Sequence, residues 1–98
     1  MIKRIVKMTF RKDATDQFEQ IFNNSCDRIR DFAGCESLEL TRAVADPRIY
    51  FTISIWQSES DLNAYRHSEL FKETWAATKA LFDDKPQAWS TKSIKALD

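Results

Sequence analysis

Ile49-Tyr50-Phe51-Thr52-Ile53-Ser54-Ile55-Trp56 is the strongest strand pattern in the chain. Side chains alternate across a strand, so Ile49, Phe51, Ile53 and Ile55 share one face, and Tyr50, Thr52, Ser54 and Trp56 share the other. The first face is as apolar as a core. The second mixes rings with hydroxyls, which suits a pocket floor needing apolar contact and a few hydrogen-bonding groups. A second reading fits as well: a half-exposed outer face on which threonine and tyrosine serve as good strand formers. Eight of the twelve aromatic residues fall between Tyr50 and Trp89, so the choice between core and pocket is concentrated here.

Downstream, Ser58 with Asp61 three residues on opens a helix. Leu62, Tyr65, Leu70, Phe71, Trp75, Thr78, Leu81 and Phe82 mark its inward side. The stripe slips at His67-Ser68, where a second capping group can restart the helix, so a break is expected there. Asp83-Asp84-Lys85-Pro86 ends the segment, because proline disfavours helix at the residue before it. Gln87 to Leu97 is expected to form a last strand. Upstream, Asp46-Pro47 supplies a hairpin turn from a strand over Ser37–Arg42. Before that, Phe18, Ile21, Phe22, Ile29 and Phe32 make one helical stripe, with Asp13 and Asp16 as its capping pair. Gly34, the only glycine, sits where a left-handed turn would end that helix. Ile2, Val6, Met8 and Phe10 alternate with Ile5, Lys7 and Thr9 in a first strand.

The order is therefore β-α-β-β-α-β over residues 1–98, read as one small domain with a ferredoxin-like α+β fold: an antiparallel sheet with its helices on one face. Two helices cover one side of such a sheet only. Both sides carry large apolar groups, so a homodimer with two sheets packed face to face is expected.

Fifteen basic and fifteen acidic residues cancel, with no basic run, which argues against a nucleic-acid partner. No stretch approaches the roughly 20 apolar residues of a membrane span, and the N-terminus alternates rather than forming a signal-peptide core. No membrane partner and a cytoplasmic location are expected. One glycine excludes every glycine-rich nucleotide fingerprint. Cys26 and Cys35 lie on different elements, outside any Cys-x-x-Cys pattern and with a single histidine in the chain, so reduced buried thiols are expected and no metal site.

The pattern Tyr50…Ser54-Ile55-Trp56-Gln57-Ser58, then Leu62…Tyr65-Arg66…Ser68…Phe71…Trp75, resembles the antibiotic-biosynthesis monooxygenase (ABM) family of small dimeric α+β-barrel proteins. The resemblance implies a pocket between helices and sheet in each subunit, with the opposite sheet face building the barrel. The family includes oxygenases of aromatic polyketides that use no cofactor, quinol oxygenases, heme-degrading enzymes and members of no known activity. In the heme-degrading branch a helix histidine ligates iron. Trp75 stands at that position here, and an indole nitrogen donates only. The first-strand asparagine of that branch matches Lys7. Heme degradation is disfavoured on both counts. Histidines that many members carry correspond to Tyr65 and Leu70.

On this resemblance the expected activity is oxidation of a small electron-rich aromatic or quinol with no cofactor, neither metal nor flavin. The alternative is a dimeric pocket protein that binds a hydrophobic metabolite without turning it over. Lys7, Trp56 and Tyr65 are the catalytic candidates, Lys7 as a stabiliser of a developing phenolate or oxygen anion if it reaches the pocket. As an edge-strand lysine it would instead block unwanted strand pairing. Tyr50, Thr52, Ser54, His67, Phe71 and Trp75 are the substrate-binding candidates. His67 follows Tyr65 by two residues, about 200° around a helix, and faces the pocket only if the break at Ser68 turns it inward.

Overall fold

A computed structural model describes all 98 residues. The elements are β1 (Ile2–Thr9), α1 (Thr15–Arg30), β2 (Cys35–Arg42), β3 (Ile49–Trp56), α2 (Glu59–Arg66), α3 (Glu69–Lys79) and β4 (Gln87–Thr91). They form the expected βαββαβ arrangement, with the second helix broken into two. All strand pairs are antiparallel and the sheet order is β2-β3-β1-β4.

Register assigns the faces. Arg4 pairs with Ser54 and Ser90, and Ser54 with Leu38; Val6 pairs with Thr52 and Ala88, and Thr52 with Leu40. These rows face the helices, with Tyr50–Met8 at one end and Trp56–Ile2 at the other. The opposite face carries the rows Glu39–Ile53–Ile5–Trp89 and Thr41–Phe51–Lys7–Gln87. No helix covers it. Its apolar members are partly exposed and Trp89 is 46% exposed. The strand alternation read from the sequence thus holds, and the helix side is the one bearing Tyr50, Thr52, Ser54 and Trp56.

Local signals account for most element ends. Ser58 Oγ accepts from the Asp61 backbone N–H at 3.1 Å and donates to Asp61 Oδ2 at 3.0 Å, starting α2. Ser68 Oγ accepts from the Phe71 N–H at 3.1 Å and restarts the helix as α3. Asp46 Oδ1 accepts from the Arg48 N–H at 3.0 Å and closes the β2–β3 turn. Gly34 has φ 89°, and a β-carbon there would collide with the side chain of Asp61. Glycine is needed twice over, for the turn and for its close approach to the start of α2.

Several boundaries differ from the sequence reading, among them β2, which starts at Cys35, and α1, which ends at Arg30 before Phe32. Ala14, with no side-chain cap, precedes α1, while Asp13 is exposed and pairs at 3.9 Å with Arg11. The buried Ala14 is fixed by packing in the core cluster, which overrides the capping preference. α3 stops at Lys79, because Phe82 turns away to bridge with Phe10. β4 ends at Thr91, and Ile94 and Leu97 beyond it are fully or almost fully exposed.

Two buried clusters anchor the helix side. Met8, Phe10, Ala14, Phe18, Tyr50 and Leu81 form one. Ile2, Cys35, Trp56 and Leu62, with Phe32 and Tyr65 packed on them, form the other. Cys35 is buried as expected, whereas Cys26 on α1 is only partly so.

A cavity between the two clusters

Between the two clusters the sheet and helices separate around a cavity of about 320 Å³. Its floor is the sheet, through Arg4, Val6, Leu38, Thr52, Ser54 and Trp56. Phe18, Ile21, Phe22 and Ile29 of α1 form one wall. Leu62, Tyr65, Phe71, Thr74, Trp75 and Thr78 of α2 and α3 form the other. Arg66 and Ala88, both exposed, also border it and mark its mouth. Such a space falls within the size of small-molecule sites and has their mix of apolar walls and few polar groups.

Trp56 is 1% exposed and donates its indole N–H to Ser54 Oγ at 2.9 Å, which fixes the ring against the floor. Tyr65 stacks on it with ring centroids 5.0 Å apart. Tyr65 then meets Phe71 edge-on at 5.3 Å, and Phe71 stacks on Trp75 at 5.8 Å. Trp75 continues to Phe82, and Phe82 to Phe10, so ring contacts run from one buried cluster to the other along the cavity wall. Two aromatic residues stand apart from this network, Phe51 and Trp89, and both lie on the bare sheet face.

The Tyr65 hydroxyl has no hydrogen-bond partner within the chain. Burial, with a smaller contribution from the nearby Cys35 thiol, pushes its pKa up to about 12, so it is a protonated donor throughout the neutral range. Thr52 and Thr74 also keep free hydroxyls. Arg4 donates to Ser90 Oγ at 3.0 Å. Its pKa is lowered, first by burial and then by the positive charge of Arg66. No aspartate, glutamate or histidine lines the cavity, and nowhere do three or more His, Cys, Asp or Glu side chains gather as a metal site would require.

Of the candidates named from sequence, the structure gathers Thr52, Ser54, Trp56, Tyr65, Phe71 and Trp75 around this one space. Three lie elsewhere. Lys7 pairs with Phe51 and Gln87 on the bare sheet face, because it shares the odd-numbered side of β1 with Ile5. Tyr50 is 2% exposed within the Phe10 cluster, edge-on to Phe10 and Phe18, and donates to Glu19 Oε2. It does not line this cavity. His67 caps the end of α2 and is exposed, its Nδ1 2.7 Å from the Asn63 carbonyl oxygen. The break at Ser68 exists, yet it leaves His67 in solvent. Arg4 and Arg66 are the charged lining residues that sequence reasoning missed. The even number of Arg4, shared with Ile2, Val6 and Met8, already assigned it to the helix side.

The sequence profile of the antibiotic biosynthesis monooxygenase family matches residues 1–77. The chain belongs to this family. No curated protein sequence matches it closely enough to count as a relative. Among solved structures, an antibiotic biosynthesis monooxygenase superposes with a TM-score of 0.91 at 17% identity, covering 97% of this chain and 100% of that one. A protein of Mycobacterium tuberculosis superposes at 0.89 and 15% identity, covering 99% and 98% of the two chains. A conserved protein of Methanosarcina mazei gives 0.89 at 16% identity, covering 93% and 90%. At these identities the likeness of an ABM chain to its neighbours is one of fold.

Proposed function

We propose that this ABM-family chain is a monooxygenase oxidising a small electron-rich aromatic or quinol in the cavity beside Trp56, without metal or flavin. The cavity carries the reading: about 320 Å³ walled by Trp56, Tyr65, Phe71 and Trp75, with hydroxyls on Thr52, Ser54 and Tyr65. A flat ring stacks against such walls while hydroxyls hold its oxygens. The substrate phenol releases its proton to solvent through the cavity mouth, and its anion passes one electron to dioxygen. The resulting radical pair joins through a new C–O bond, and the peroxide anion takes up a proton to give a hydroperoxide. Loss of water from that hydroperoxide leaves a carbonyl, so one oxygen atom ends in product and one in water. Tyr65, protonated at neutral pH, donates to the developing oxyanion. Trp56 orients the ring and the apolar walls exclude water.

One observation favours a second reading. No histidine or carboxylate lines the cavity to act as a base, which suits a protein that binds a hydrophobic metabolite without turning it over. Oxygen uptake with a panel of hydroquinones and anthrones separates the two. Uptake that requires Tyr65 and Trp56 is the expected result. Quenching of tryptophan fluorescence with no uptake would leave only binding.

The same proposal includes a homodimer. Ile5, Phe51, Ile53, Ile55 and Trp89 form an apolar surface on the uncovered sheet face, and packing against a second copy is the simplest way to bury it. Light scattering at micromolar concentration is expected to give twice the chain mass; a monomer mass would contradict it.

A further inference from the structure

We infer that the ligand of this cavity carries an acidic group, a carboxylate on an aromatic frame, held between Arg4 and Arg66. Both arginines line the cavity and no carboxylate does. Arg4 rises from the helix side of the sheet, between Ser54 and Ser90 of the neighbouring strands, and is partly buried there. Its only side-chain partner is the neutral hydroxyl of Ser90. Arg66 approaches from the end of α2 closely enough for its charge to act on Arg4. Neither makes an ion pair; Arg11, Arg42 and Arg48 do, while Arg28 and Arg30 on α1 are also unpaired but do not line the cavity.

A like charge beside a partly buried cation disfavours it further, and such a cation is normally paired. An anion between Arg4 and Arg66 removes that penalty. The guanidinium fork suits a carboxylate, which it can bind through two parallel hydrogen bonds. The position of Arg66 in the last turn of α2 complements the helix dipole, but that accounts for one arginine only. Arg4 has no such explanation. With the acid held at the mouth, the rest of the molecule reaches inward along Trp56 and Tyr65. The inference needs the cavity to be the ligand site; it does not need turnover.

The test uses 2-naphthoate and its uncharged counterpart 2-naphthamide, neither a substrate for oxygenation, titrated into the full chain by calorimetry. The acid is expected to bind at least about tenfold tighter. Arg4→Gln and Arg66→Gln should each weaken the acid by about ten- to hundredfold, the range for hydrogen bonds to charged groups, while moving the amide by less than about threefold. Arg4→Lys should restore part of the loss. Circular dichroism checks that each variant is folded, and the exposed Arg66 provides a variant with little packing to lose. Equal binding of acid and amide, a preference that survives both substitutions, or no binding of either would overturn the inference. Oxygen uptake failing with every quinol would leave it standing.

Discussion

Tyr50 and Trp56 sit six residues apart on the same face of the same strand, yet the molecule uses them differently. At the Tyr50 end, Phe10 from the end of β1 and Phe18 from α1 close over the ring, with Phe82 behind Phe10. The hydroxyl of Tyr50 is spent on Glu19, and Arg42 lies 5.0 Å over the ring. At the Trp56 end the indole is also buried, but its neighbour Tyr65 turns an unpartnered hydroxyl toward open space. Alternation assigns a side chain to a face. Whether that part of the face is filled or open depends on what distant elements deliver to it.

The largest effect is expected from emptying the filled end. Phe10, fully buried, touches three other rings; Phe10→Ala should cost about 3–5 kcal/mol in urea unfolding, the range for a core phenylalanine. A cost below about 1.5 kcal/mol would mean that this end is not the packed one.

Alkaline pH tests both ends at once, because Tyr50 and Tyr65 are the only tyrosines. Burial raises both to about 12, at Tyr50 with help from its bond to Glu19. An unfolded tyrosine titrates near pH 10. Between about pH 10 and 12 the folded chain therefore binds more protons than the unfolded one, and stability falls as pH rises. The contribution is complete below pH 10 and is lost through pH 12. Absorbance at 295 nm should show little tyrosinate in the folded protein at pH 10.5, and half-titration there would contradict the burial of both rings.

Smaller effects distinguish the open end. Trp75→Leu should cost about 1 kcal/mol of stability and weaken 2-naphthol binding by up to about tenfold, as loss of a ring-stacking partner does. Of the hydroxyls, Tyr50→Phe should cost about 1 kcal/mol through the lost bond to Glu19. Tyr65→Phe should stay within about 0.5 kcal/mol while slowing any turnover or weakening a hydroxylated ligand. Equal stability losses in the two phenylalanine variants would erase the contrast.

Much of the fold was legible in sequence because its signals are local. The β3 alternation, the Ser58 cap and the helix restart at Ser68 each depend on residues within a few positions of one another. The cavity was less legible. Alternation assigns Tyr50 to it together with Trp56, since no pattern within Ile49–Trp56 reveals that Phe10, Phe18 and Phe82 converge on one end. Lys7 is a catalytic candidate only on condition that it reaches the pocket, and its shared parity with Ile5 points to the other face. The same parity rule applied to Arg4 would have found one of the two cations that do line the cavity. His67 depended on the backbone angle at the Ser68 break, which the residue types there do not encode.

The central claim is that the space beside Trp56 is the ligand site, and the three tryptophans report on it directly. Trp56 and Trp75 line the cavity, while Trp89 lies on the bare sheet face. Indole N–H resonances, assigned through single Trp→Phe variants, can be followed in ¹⁵N-labelled protein during titration with 2-naphthol. The signals of Trp75 and Trp56 should move saturably together while that of Trp89 stays in place. A titration that moves Trp89 alone, or none of the three, would contradict the account.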